Sequence, residues 1–261
     1  MRGIFAAGVL DAFIANNYYE FDFCVGVSAG STNLVGYLSK QFGRNEKIIK
    51  YYATSKEFID IWRFIKGGHL CDVEWLWYES YYRESKLNDF FMPLWIVTTN
   101  VITGKPHYFC MPDDALSHAT IIASCAIPIA YRHYPEVDHM PMTDGGISDS
   151  IPVEFAYQHG ARDITVILSK PFGYRKKTPH FLRLLKSYYK DSPNLYTAIM
   201  NRHYNYNRTL DFIMSPPMDC KIKVISPLDC FPVRRLTRSA KKLDFGYQQG
   251  LEAGVSYLDK L

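Results

Sequence analysis

With 261 residues, 48% of them hydrophobic and 21% charged, the chain has ordinary globular usage, which excludes a disordered or fibrous protein and leaves room for a sizeable buried core. A formal charge of +4 is too small to make a nucleic-acid binder of it, and none is expected as a partner. Six cysteines, Cys24, Cys71, Cys110, Cys125, Cys220 and Cys230, form no C-x-x-C pair, which speaks against a zinc site or disulfide framework and for reduced thiols in the cytoplasm.

No run approaches the roughly 20 apolar residues of a membrane-spanning helix. The longest, Ile121 to Tyr131, contains Pro128 and is followed by Arg132. Ile4 to Leu10 imitates a short signal peptide, but Asp11 interrupts it and apolar residues resume at Phe13 and Ile14, so an amphipathic or buried helix over 4–15 is expected, stopped by Asn16-Asn17.

Phe21 to Val27 is a short apolar run bounded by glycine, the pattern of a buried strand, and Ala29 to Gln41 carries Leu34, Val35 and Leu38 on one helical face. Further strands are expected at Leu94 to Thr99, His107 to Cys110 and Ile164 to Leu168, with a helix opening at Ser150-Ile151-Pro152. Leu243, Tyr247, Leu251, Val255 and Leu258 recur at helical steps within Ser239 to Leu258. Strands separated by helices predict an α/β fold with a mostly parallel sheet covered on both faces. Near Pro171-Phe172-Gly173 this pattern gives way to basic, aromatic segments, so a catalytic domain over 1–170 and a helical extension over 171–261 are expected.

The turn between the first strand and second helix reads Gly26-Val27-Ser28-Ala29-Gly30. A serine hydroxyl is a weak nucleophile until a sharp strand-to-helix turn presents it and a base takes its proton. Gly26 and Gly30 permit such a turn, and the Ala29 amide would point at a developing oxyanion. A merely structural turn is the other reading of this pentapeptide. The late histidines, His159, His180 and His203, sit in no convincing strand-end loop, so the base is sought elsewhere. Thr143-Asp144-Gly145-Gly146 places a carboxylate before two glycines that allow close approach to another loop. Partial desolvation beside Ser28 would raise the basicity of Asp144, while a turn aspartate bonding its own backbone is the alternative.

Four stretches in order give the chain a specific resemblance to the bacterial patatin-like phospholipases: Met1 to Asp11, the elbow Gly26 to Gly30, Ala123-Ser124-Cys125-Ala126-Ile127-Pro128, and Asp144-Gly145-Gly146 running on to Ile151-Pro152-Val153-Glu154. The resemblance covers most of residues 1–170. It implies a three-layer α/β/α fold, a Ser-Asp dyad carried by Ser28 and Asp144, and hydrolysis of phospholipids or other acyl esters without a metal or organic cofactor. Family members begin with an apolar strand and a loop of the form G-G-G-x-R-G, whereas this sequence opens inside that loop at Met1-Arg2-Gly3. The expectation is therefore a native start upstream, with Arg2, Gly3 and the Ala29 amide as the remaining oxyanion elements. Two other functions share the same residues: a catalytically weak lipid-binding protein, and an acyltransferase.

Two regions bear on lipid contact. Residues 174–208 hold Arg175, Lys176, Lys177, Arg183, Lys186, Lys190, Arg202 and Arg208 against the single acid Asp191, and Arg234, Arg235, Arg238, Lys241 and Lys242 continue the trend. Such a face suits peripheral contact with an anionic membrane, or is simply solvated. Tyr51 to Tyr82 concentrates aromatics, including Phe58, Trp62, Phe64, Trp75, Trp77 and Tyr78, as a lid, an acyl-chain wall or plain core.

Overall fold

The computed structural model describes residues 1–84, 90–111, 114–178 and 180–261, and side chains among these outside 81–84, 114–117 and 180–181. In chain order, α1 (Ile4–Ala15) leads to β1 (Cys24–Val27), which passes through Ser28 into α2 (Ala29–Leu38). α3 (Arg44–Lys47), a π-wound turn over Ile48–Tyr52, α4 (Ile61–Ile65) and α5 (Val73–Glu84) fill the connection to β2 (Leu94–Asn100). β3 (Pro106–Met111), α6 (Asp114–Cys125), β4 (Glu136–Val137) and β5 (Met140–Asp144) follow. α7 (Val153–Gln158), β6 (Asp163–Ile167), α8 (Pro193–Met214), β7 (Lys221–Ile225) and α9 (Ala240–Leu258) complete the fold.

α1 ends at Asn16, whose side-chain amide donates to the Ala12 carbonyl, and Asn17 then turns the chain at φ 52°. It is buried all round rather than amphipathic, because α9 lies directly against it. A Cβ on Gly8 would come within 2.2 Å of the Tyr247 carbonyl oxygen, and one on Gly250 within 2.1 Å of that of Phe5. Glycine at both positions lets the two backbones touch. Asp11 is enclosed in this contact and accepts hydrogen bonds from the Tyr247 hydroxyl at 2.7 Å and the Gly43 amide at 3.2 Å.

β2 is the centre of the main sheet. β3 runs antiparallel along it, Leu94 opposite Met111 and Thr99 opposite Pro106. β1 pairs with its first half in parallel, Val27 opposite Val97, and β5 pairs with its last residues antiparallel, Asp144 opposite Thr98. Since β3 takes one edge of β2, β1 and β5 share the other and meet end to end. β6 and β7 form a second, parallel pair. Alternation along the strands shows that both sheets separate the same two helical layers. Leu94, Ile96 and Ile225, with Cys24 and Ile167, pack into the core with α1, α2, α6 and α9. Val25, Ile164, Val166, Ile222 and Val224 face the opposite way, against α7 and α8. The result is a three-layer α/β/α protein, but the expectation of a mostly parallel sheet is corrected: in the main sheet only β1 and β2 are parallel, while β2–β3, β2–β5 and β4–β5 are antiparallel, the short β2–β3 and β4–β5 connections being hairpins that reverse the chain.

Beyond Pro171 the chain forms α8 and α9, but also β7, which an extension made of helices alone does not include. Lys221 and Lys223 alternate with Ile222 and Val224, a short half-buried strand that pairs with β6, so this region is built into the sheet as well as onto it.

Candidate active site

Ser28 sits between β1 and α2 at φ 55° and ψ −127°, a strained conformation for a residue with a side chain. Three contacts hold it there. Its amide donates to Ser124 Oγ at 2.8 Å, that hydroxyl donates to the Val97 carbonyl at 2.7 Å, and the Ser31 hydroxyl donates to the Ser28 carbonyl at 2.6 Å. Gly26 is required by contact, because a Cβ there would lie 2.5 Å from Ser31 Cα. The expectation that Gly30 serves the turn in the same way is corrected: a Cβ there meets nothing within 4 Å and its φ is not positive. Once helix α2 has begun, the turn is already made.

Asp144 ends β5, and Gly145 follows so close to β2 that a Cβ would fall 2.1 Å from the Val97 carbonyl oxygen. The Asp144 amide donates to the Ala126 carbonyl, the Thr99 hydroxyl donates to the Asp144 carbonyl, and the Gly146 amide donates to Asp144 Oδ1 at 2.8 Å. The strand register thus sets Val27 and Asp144 against successive residues of β2, Val97 and Thr98, so that Ser28 and Asp144 line the same cavity. Cys125 lies against both: burial pushes its thiol up to about 12, the Asp144 charge acts in the same direction and a hydrogen bond with Ser28 opposes them.

Arg2 and Gly3 stand beside the elbow. The Asn33 side-chain amide, on α2, donates to the Gly3 carbonyl at 2.8 Å, and a Cβ on Gly3 would lie 3.1 Å from that of Ala29. The N-termini of α1 and α2 are therefore neighbours at Ser28. Arg202, on α8, donates from Nε to the Gly146 carbonyl and reaches the space next to Asp144 Oδ1.

Ser28 and Asp144 open onto one cavity of about 1250 Å³. Its walls include the apolar Leu34, Ile49, Phe58, Val73, Trp77 and Ile122 and residues of β1 and β6, and Arg2, Lys176, Arg202 and Arg235 are among its cations. No histidine lines it among the described residues. His159 stacks on Phe155 and its Nδ1 bonds the Phe155 carbonyl; His203 is engaged with Thr178 and the Met200 carbonyl. The side chain of His180 lies outside the described residues, as does that of Tyr82.

The aromatic stretch divides. Trp77 is core, whereas Ile61, Trp62 and Ile65 on α4 are 62–71% exposed. The basic segment divides too: Arg175 pairs with Asp211 and Arg208 with Glu154, while Lys176 and Arg202 turn inward to the cavity. All six cysteines are free thiols, and no group of three His, Cys, Asp or Glu among the described residues is placed to hold a metal. No described helix is long and apolar enough to cross a membrane.

Residues 1–157 match the family described as patatin-like phospholipase, which is more than half of the chain. The chain belongs to that family. Residues 192–261 match a second family, described only as a domain of unknown function, DUF6363. The chain is also similar to the uncharacterized protein YjjU of Escherichia coli strain K12, 34% identical over an alignment of 242 positions that covers 87% of this chain and 65% of the relative. It thus spans less than two thirds of that protein's length. Membership carries lipid hydrolysis as the family's general activity. Sequence reasoning places Ser124 and Cys125 within a family stretch without giving either a task, and counts Lys176 and Arg202 only as part of a charge run. Nothing in a charge run says which of its members turn inward.

Proposed function

We propose that this protein is a serine acyl hydrolase acting on phospholipids or related lipid esters, with Ser28 as nucleophile and Asp144 as proton acceptor. The observation that carries the reading is the strained Ser28 at a strand-to-helix turn, on the same edge of β2 as Asp144 and lining one cavity with it, among whose walls are several apolar side chains. Strain of that kind survives where the surroundings over-determine it, and a strained strand-to-helix turn is the arrangement that presents a nucleophilic serine.

In the proposed reaction Ser28 Oγ attacks the ester carbonyl carbon as its proton passes to the Asp144 carboxylate. The tetrahedral oxyanion forms beside the start of α2, where the Ala29 amide has no helical partner, and beside Gly3 at the start of α1. Collapse expels the alcohol, which takes the proton from Asp144. Water then repeats the sequence on the acyl-enzyme and frees the acid. The apolar side chains of the cavity wall suit an acyl chain, and exposed Ile61, Trp62 and Ile65 on α4 suit insertion at a lipid surface.

A fluorophosphonate probe tests the nucleophile. Wild-type protein is expected to label covalently at Ser28 and Ser28→Ala to remain unlabelled; a folded wild type that resists the probe would refute the hydrolase. Asp144→Asn should lower kcat at least a thousandfold with the melting temperature retained, and an active variant would remove Asp144 from the mechanism.

A further inference from the structure

Among the cations that line the cavity, four from separated parts of the chain act on one another: Arg2 before α1, Lys176 in the segment after β6, Arg202 on α8 and Arg235 after β7. The Lys176 ammonium donates to Ser150 Oγ at 3.1 Å and lies 4.0 Å from the centre of the Tyr206 ring. Neighbouring basic residues have found carboxylates, Arg175 in Asp211 and Arg208 in Glu154. Among the described residues none of these four is in an ion pair, and Asp144 is the one carboxylate whose charge reaches Lys176 and Arg202. Positive charge taken out of water without a counterion is costly, and each cation here acts on the others. Burial together with the facing guanidiniums of Arg202, Arg235 and Arg2 pushes Lys176 down to about 6. Burial and Arg235 likewise lower Arg2. An arriving anion would relieve the buried Arg2, Lys176 and Arg202 and draw a proton back onto Lys176.

We infer that Lys176, Arg202 and Arg235, with Arg2 facing them, form a subsite for a phosphate group beside the nucleophile, so that the C-terminal region supplies headgroup recognition to the proposed hydrolase. Guanidinium forks match phosphate oxygens in pairs, and an ammonium adds a point charge. In a glycerophospholipid only the glycerol unit separates the phosphate from the nearest acyl ester, so a phosphate held here would leave that ester within the same cavity as Ser28. The assignment of the scissile ester rests on the hydrolase reading; binding of the phosphate does not.

The experiment uses the full chain carrying Ser28→Ala, so that turnover plays no part. Calorimetry with inorganic phosphate reads the free anion, and titration with dihexanoyl phosphatidic acid against uncharged dihexanoylglycerol reads the headgroup. We expect at least one phosphate probe to bind more than tenfold tighter than dihexanoylglycerol, and the double variant Lys176→Met/Arg235→Gln to lose at least tenfold of that binding. Binding of inorganic phosphate identifies the free anion as sufficient; binding of phosphatidic acid alone identifies the lipid headgroup. Equal binding of all probes, or a phosphate preference that survives the double variant, overturns the subsite. Lys176 is held at a penalty and Arg235 is exposed, so the double variant should keep its melting temperature, and the conservative Arg235→Lys should restore part of the binding. Failure of Ser28 to label with fluorophosphonate would remove the hydrolase while leaving the phosphate titration intact.

Discussion

The Ser28 amide is anchored on the Ser124 hydroxyl at 2.8 Å, and through it on the Val97 carbonyl of β2. A residue on α6 thereby fixes the geometry of a turn 96 positions earlier in the chain. Ser124→Ala leaves the Ser28 amide and the Val97 carbonyl buried without this partner, at a cost of about 1–3 kcal/mol. We predict a fall in unfolding free energy of that size together with a loss of about tenfold in kcat. Unchanged urea unfolding and unchanged turnover would show that the hydroxyl is dispensable.

The two glycines of the elbow should behave in opposite ways. Gly26→Ala drives a methyl into the Ser31 backbone and is expected to destabilise by about 1–3 kcal/mol and to abolish probe labelling. Gly30→Ala puts a methyl into open space on a helix and should stabilise by about 0.5–1 kcal/mol. Denaturant titration of the pair checks both, and equal losses would contradict the division of roles between Gly26 and Gly30.

Asp11 makes stability depend on pH. Burial raises its pKa from 3.8 to about 6, against hydrogen bonds from Tyr247 and the Gly43 amide. Between these values the folded protein holds a proton that the unfolded chain has released, so the stabilisation is complete below about 4 and is lost as pH rises through about 6. Relative to Asp11→Asn, the wild type should therefore lose about 1–3 kcal/mol between pH 4 and pH 7. Urea midpoints at the two pH values measure it, and a constant difference between the proteins would exclude Asp11 as the source.

The exposed apolar face of α4 leads to a membrane prediction. Trp62→Ser/Ile65→Ser should weaken partitioning onto phospholipid vesicles about tenfold or more, as removal of two large apolar side chains from an interface requires. Turnover of a dissolved short-chain ester should fall far less. Vesicle sedimentation that is identical for the two proteins would assign α4 a different role.

Local chemistry determined much of this protein in advance. Helical spacing in Ile4 to Ile14 and Leu243 to Leu258, the apolar run before Ser28, and the glycines beside Ser28 and Asp144 are patterns whose cause lies within a few residues, and they made α1, α9, β1 and the two loops legible in the sequence. Tertiary structure decided what depends on distant partners. The pairing of β1 and β5 on one edge of β2 set Ser28 and Asp144 on one cavity, and the packing of α6 gave Ser124 its contact with the Ser28 amide. The docking of α9 decided between the amphipathic and the buried reading of α1 in favour of the buried one. Packing of α8 against the site separated Lys176 and Arg202, which face the cavity, from Arg175 and Arg208, which found Asp211 and Glu154. A charge run records composition along one chain, whereas the field at a site is set by which of those charges the fold leaves without a partner.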